Sequence, residues 1–196
     1  MDFNFSTASE DPEKSTFGYV LLTATGGLLA ATCLVTASFV SPAFRKHCLP
    51  FVPATNQQVR NVLLALKNRK GPVIDIGSGD GRIVLELAKN NYDVHGVELN
   101  PWLVAYSRIA AFCGGLNVKF YVRDLWKFRL SAYDNIVIFG VEQMMVDFER
   151  KLVSECKEDC NVVACRFPLP NMTPERVIGI GIDKVWVYVI NKRTIV

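Results

Sequence analysis

Histidine is scarce in this chain, with two in 196 residues, and none of the six cysteines stands in a C-x-x-C pair. That scarcity argues against a zinc site, which draws on closely spaced Cys and His ligands. Cys33 lies in an apolar run, Cys48 and Cys113 are isolated, and Cys156, Cys160 and Cys165 lack ligand spacing. Free thiols in a reducing compartment are expected, and no metal. No long basic run is present, and no nucleic-acid partner is expected. Charge is missing altogether between Lys14 and Arg45. No basic segment precedes that gap, as a secretory signal peptide would require.

What is present is half hydrophobic, enough for one sizeable core and little more. Four acids against Lys14 give the chain before Arg45 a net charge of −3, so the remainder carries +6 of the overall +3. A basic body suits anionic lipid headgroups or an acidic partner, or serves solubility alone. Residues 17–40 are long and apolar enough to span a hydrocarbon core of ~30 Å as a helix, and we read them as a transmembrane segment. Gly27 and Ala31 have the spacing of a small-residue helix contact. Arg45, Lys46 and His47 follow the span, while acids precede it, which places the body on the side that retains positive charge. The organisation expected is therefore an acidic tail at 1–16, the span at 17–40, a basic and proline-containing linker at 41–54, and a catalytic domain at 55–196. Pro50 and Pro53 punctuate the linker, and Thr55 with Gln58 has the spacing of a capping box opening a helix over 55–68. Val59, Val62, Leu63 and Leu66 give that helix one apolar face.

The sequence from Pro72 to Arg82 reads as strand, glycine loop and helix, with Ile83, Leu85 and Leu87 continuing the helical pattern. A dinucleotide loop needs a small residue at the last glycine position, and Arg82 occupies it. Asp75 beside the loop would repel a pyrophosphate but suits a ligand carrying an ammonium and a sulfonium group. S-Adenosylmethionine has both. Glu98 ends a second strand, where an acid can accept from both ribose hydroxyls. Asp124 ends a third, placed to accept from an adenine amino group. Each acid could equally cap a helix or face solvent. Their recurrence at successive strand ends favours a ligand, because open α/β sheets bind there. Residues 135–139 and 162–165 read as buried strands, and Met145, Phe148 and Leu152 give the helix between them an apolar face. Residues 177–182 and 185–190 read as a closing hairpin. Met144 and Met145 read as core fillers, and His95 as structural.

The loop from Val73 to Arg82 resembles motif I of the seven-stranded methyltransferases. Further stretches are similar to one branch: Cys48 to Thr55, Glu98 to Val104, Asp124 to Lys127, Ile138 to Val141 with Gln143 to Met145, and Cys165 to Pro168. Together they resemble the mitochondrial ATP synthase c-subunit lysine methyltransferases, with the enzymes acting on the adenine nucleotide translocase less close. The resemblance implies a seven-stranded Rossmann-like sheet and S-adenosylmethionine as cofactor. It also implies an enzyme of the mitochondrial inner membrane, facing the matrix, that trimethylates a lysine of the c subunit and supports synthase assembly and respiration. Carried over by position, Asp75, Gly77, Gly79 and Asp80 would line the methionine end, Glu98 the ribose and Asp124 the adenine. Glu142 stands where the family is expected to carry proline, and the acidic N-terminus differs from an arginine-rich cleaved presequence.

Methyl transfer to lysine needs a neutral amine, against an ordinary pKa of ~10.4. Glu142 is a candidate proton acceptor near the substrate, or else a solvated acid at a helix start. Trp102 and Trp126 either pack against adenine or the substrate lysine, or fill the core. A non-catalytic membrane-anchored scaffold that keeps the nucleoside fold is the remaining alternative.

Overall fold

A computed structural model describes residues 16–40 and 52–191. The acidic tail and the Arg45, Lys46 and His47 cluster lie outside the described residues, as do Cys48 and Pro50. The chain divides into two units between Ala37 and Ser38.

The first unit holds helix α1 (Thr16–Val40) to within three residues of its end, and its segment Gly18–Ala37 is long and apolar enough to cross a membrane. Tyr19, Leu22, Leu28, Leu29 and Leu34 are exposed along it. Its threonines donate back to carbonyls one turn earlier, Thr23 to Tyr19 at 2.9 Å, Thr25 to Leu21 and Thr32 to Leu28 at 2.8 Å. Hydroxyls satisfied within their own helix ask nothing of water, as an apolar environment requires.

The second unit is a seven-stranded mixed sheet in the order β3-β2-β1-β4-β5-β7-β6. In chain order it comprises α2 (Asn56–Leu66), β1 (Val73–Ile76), α3 (Arg82–Lys89), β2 (Val94–Glu98), α4 (Pro101–Cys113), β3 (Lys119–Val122), β4 (Asn135–Phe139), α5 (Glu142–Glu155), β5 (Cys160–Cys165), β6 (Arg176–Ile178) and β7 (Val185–Ile190). Strands β1 to β5 run parallel and β7 antiparallel between β5 and β6. Both faces are covered, so the central strands read as continuous apolar runs. Ile74, Ile76, Ile136, Ile138 and Val162 share one core with Met144, Met145, Phe148 and Leu152 of α5. Val73, Val137, Val163 and Val187 share the other with Val62 and Leu66 of α2, Val84 and Leu87 of α3, and Val104 of α4. Both methionines are core fillers, as the sequence suggested. His95 is structural too: its Nδ1 lies 3.0 Å from the Tyr133 hydroxyl, and burial lowers its pKa.

Two local expectations need correction. Thr55 does cap α2, accepting from the Gln58 amide at 3.0 Å, but Gln58 does not reciprocate. Its side chain donates instead to the Ile182 carbonyl at 3.2 Å. The strand expected over 177–182 is only Arg176–Ile178, followed by a 3₁₀ turn at Gly181–Asp183. The same helix is the reason: Asn61 donates to the Asp183 carbonyl at 2.8 Å and Thr55 donates to the Asp183 carboxylate at 2.5 Å. Those bonds draw the chain off the sheet edge onto α2.

Gly96 in β2 is there for space rather than flexibility. A Cβ would stand 2.7 Å from both the Phe120 ring and the Ser78 hydroxyl. Gly96→Ala should therefore destabilise the protein by about 1–3 kcal/mol, the range for overpacking a dense interior. Urea unfolding of the detergent-solubilised chain checks this, and an unchanged midpoint would mean that the Phe120 ring moves aside freely.

Candidate cofactor and active site

The loop between β1 and α3 turns on three glycines with positive φ, Gly77 at 75°, Gly79 at 55° and Gly81 at 79°. The Gly77 and Ser78 amides donate to the Val97 carbonyl at 2.8 and 3.0 Å, tying the loop to β2. Gly81 brings it against α4: a Cβ there would meet the Ser107 hydroxyl at 2.8 Å, and that hydroxyl donates to the Gly79 carbonyl at 3.2 Å. At Gly77 the nearest atom to a Cβ is the Phe139 carbonyl oxygen at 3.9 Å, so the backbone is open towards the carboxyl ends of β1 and β4.

Asp75 is 1% exposed, and neither carboxyl oxygen has a hydrogen-bond partner. The buried Ser78 hydroxyl is likewise unpartnered. Burial first, then the charges of Glu98 and Asp80, push the Asp75 carboxyl from its ordinary 3.8 to about 8. An ionised carboxylate with no partner here would be costly, so the group holds its proton until a cation arrives.

Asp80, expected at the methionine end, is engaged with Arg82. Its carboxylate grips the Arg82 guanidinium, with Arg82 Nη2 2.6 Å from Asp80 Oδ2 and Nε 3.0 Å from Oδ1. Arg82 Nη1 donates on to the Ala54 carbonyl at 2.6 Å. The arginine that breaks the dinucleotide pattern is thus a brace between the loop and the chain entering α2.

Glu98 bridges two turns. Its Oε2 accepts from the Gly79 amide at 3.0 Å, and its Oε1 from the Leu99 and Asn100 amides, both at 2.8 Å. A carboxylate offers about four lone-pair sites, so one remains on Oε2. One ribose hydroxyl can be met without rearrangement, and a second requires release of a backbone amide. Asp124 accepts from the Trp126 amide at 3.0 Å and caps the 3₁₀ turn Leu125–Lys127. The sheet order places Asp75, Glu98 and Asp124 at the carboxyl ends of the neighbouring strands β1, β2 and β3, with Glu98 and Asp124 also accepting backbone amides.

Glu142 is exposed at the first turn of α5, the position of a solvated helix-start acid beside the end of β4. Trp126 packs partly buried against the α5 core. Trp102 is 46% exposed on α4, so it is no core filler. Arg166 stands within the Cys165–Pro168 likeness, with no site role expected of it there. It follows β5 with φ 71°, its amide donates to the Lys184 carbonyl at 3.1 Å, and its guanidinium carbon lies 6.0 Å from the Phe139 ring centre. A lone cation just past a buried strand, at the ligand-binding end of the sheet, was the available signal.

Residues 75–176, about half of the chain, match the ANTKMT methyltransferase domain. The chain belongs to this methyltransferase family. It is 53% identical over 178 residues to the ATP synthase c-subunit lysine N-methyltransferase of Homo sapiens, covering 90% of this chain and 76% of that protein. It is 38% identical over 175 residues to the adenine nucleotide translocase lysine N-methyltransferase of Mus musculus, covering 86% and 76%. A solved RNA methyltransferase from Salinibacter ruber, in complex with S-adenosyl-L-homocysteine, superposes with a TM-score of 0.68 at 26% identity, covering 72% of this chain and 95% of that one.

In this methyltransferase the residues present fit S-adenosylmethionine. The unpartnered carboxyl of Asp75 and hydroxyl of Ser78 suit the ammonium of an amino-acid end, the open backbone at Gly77 admits a ligand, and Glu98 retains an acceptor.

The ligand-free protein binds a proton at Asp75 that the unfolded chain would release, so it loses stability as pH rises from 3.8 to about 8. Asp75→Asn removes that loss: its ligand-free melting temperature at pH 8 should exceed the parent's while cofactor binding disappears. A lower melting temperature with cofactor binding kept would show that the carboxyl is satisfied some other way. Glu98→Ala should weaken S-adenosylhomocysteine by at least ~1.5–3 kcal/mol, the range for a bond to a charged group, with loop order lost in addition. Unchanged affinity in calorimetry would remove Glu98 from the site.

Proposed function

We propose that the protein transfers methyl groups from S-adenosylmethionine to a lysine of the ATP synthase c subunit, forming trimethyllysine and supporting synthase assembly and respiration. It works in the mitochondrial inner membrane with its body facing the matrix. The observation that carries the chemistry is the buried, unpartnered Asp75 carboxyl beside the glycine loop. The substrate follows from the likeness to c-subunit lysine methyltransferases at 53% identity, against 38% for the translocase enzyme. The membrane reading is supported by the bilayer-length α1, its internally bonded threonines and the acidic-before, basic-after charge order around it.

The donor supplies a methyl group on a positively charged sulfur that leaves as a neutral thioether. The chain's task is to fix that methyl and present an uncharged amine in line with it. Asp75 and Ser78 hold the amino-acid end, and Glu98 with Gly79 the ribose side. Arg166 favours the neutral lysine, since a nearby cation lowers an amine's pKa, while the Phe139 ring beside it limits hydration. Glu142 at the α5 start takes the released proton or passes it to water.

Incubation of the purified full-length chain with isotopically labelled S-adenosylmethionine and membranes lacking endogenous activity should place label on a c-subunit lysine, read by mass spectrometry as trimethyllysine. Label on the translocase alone would move the substrate to that protein. Label nowhere, with cofactor binding intact, would leave a non-catalytic scaffold. Deletion of residues 17–40 should keep methylation of the detergent-solubilised substrate but lose much of the rate on the same substrate in intact membranes, where tethering raises local concentration. Equal retention on both would remove the proximity argument.

A further inference from the structure

Helix α4 is amphipathic the wrong way round. The side facing the sheet carries Val104, Ser107 and Ala111, which are buried and small. The side facing outward carries Trp102, Tyr106, Ile109 and Phe112, exposed by 46, 60, 64 and 87%. These four recur at helical spacing with Ala105 and Cys113 and form one continuous face. A helix that serves only the core places its bulky apolar groups inward. A contiguous outward face of this kind marks a binding surface.

Its composition says what it meets. Trp and Tyr join an apolar ring to a polar tip and gather at the level of lipid headgroups, while Ile and Phe reach into the acyl region. Helix α4 carries no acid. Its only charge is Arg108, whose guanidinium donates to the Phe120 carbonyl of β3 at 2.6 Å. Exposed Lys119 and Arg123 flank that edge strand. Glu98 at the end of β2 and Asp124 after β3 accept backbone amides, and Asp80 is paired with Arg82 at 2.6 Å. An aromatic stripe with a cationic border complements an anionic phospholipid surface.

We propose that the outer face of α4 lies in the headgroup region of an anionic bilayer. This rests on the membrane reading of the protein given above, since a chain carrying a bilayer-length helix keeps a lipid surface at high local concentration. α4 opens three residues after Glu98, so Trp102 sits in the helix turn next to that acid and the stripe continues along the helix from there. Docked along this face, the body presents its site mouth at headgroup level, where a membrane-embedded protein exposes a lysine.

The three tryptophans, Trp102, Trp126 and Trp186, all belong to the second unit, which allows a direct test. The full-length chain is reconstituted in phosphatidylcholine vesicles with and without phosphatidylglycerol, each prepared with plain and with brominated acyl chains. The emission lost on Trp102→Phe identifies the Trp102 component. That component should be quenched by bromine, more so with phosphatidylglycerol, and Ile109→Ser with Phe112→Ser should abolish the quenching while the circular-dichroism melt is unchanged. A Lys119→Gln, Arg123→Gln variant should lose the phosphatidylglycerol dependence. Trp102 emission equal in plain and brominated vesicles, in a chain that resists alkaline carbonate, would overturn the docking and leave the spanning helix standing. Quenched Trp102 in a chain that carbonate extracts would overturn the spanning helix and support the docking. A dimer in detergent and in vesicles, dissociated by Phe112→Ser, with no bromine quenching, would assign the face to a second copy and overturn the lipid proposal.

Discussion

A carboxyl group with no partner, at the end of a strand buried on both faces, is the constraint around which the catalytic unit is arranged. Asp75 is held in β1 between β2 and β4, with Gly96 and Val137 as its register neighbours, in a place where water does not reach it. Ionised, it would cost several kcal/mol unless paired. Protonated, it has no charge to desolvate and costs less. Burial of this kind favours a ligand that brings positive charge over an anionic nucleotide.

The loop beside Asp75 is held from two sides. Asp80 and Arg82 brace the glycine loop to Ala54, and Glu98 ties Gly79 to the turn opening α4. Gly96 leaves room for the Ser78 hydroxyl. A carboxylate that accepts backbone amides, as Glu98 does, is fixed before any ligand arrives, which reduces the ordering cost of binding.

The parallel strands, the loop, the cap at Thr55 and the core roles of Met144, Met145 and Phe148 were legible in the sequence, because periodicity and glycine spacing are local signals. The three acids at strand ends were legible for a related reason: topology brings successive strand ends together whatever the side chains do. What was hidden depends on contacts distant in the chain. Asp183 and Ile182 meet α2 across more than 120 residues, so the shortening of β6 and the diversion of Gln58 could not be read locally. Arg82 was noticed as a break in a pattern, but its brace to Ala54 needs the fold. Trp102 was read as either adenine or core packing. Only the register of α4 on the sheet turns it outward.

The proton on Asp75 is what most directly separates this arrangement from an ordinary glycine loop with a surface acid. Calorimetric titration of the full-length protein with S-adenosylmethionine at a pH well below 8, in buffers of different ionisation enthalpy, counts protons released on binding. Release close to one per site, falling away as the pH is raised past about 8, is the predicted result. Binding with no proton released across that range would mean that Asp75 is already ionised in the empty site, and the account of how the methyltransferase selects its cationic donor would be contradicted.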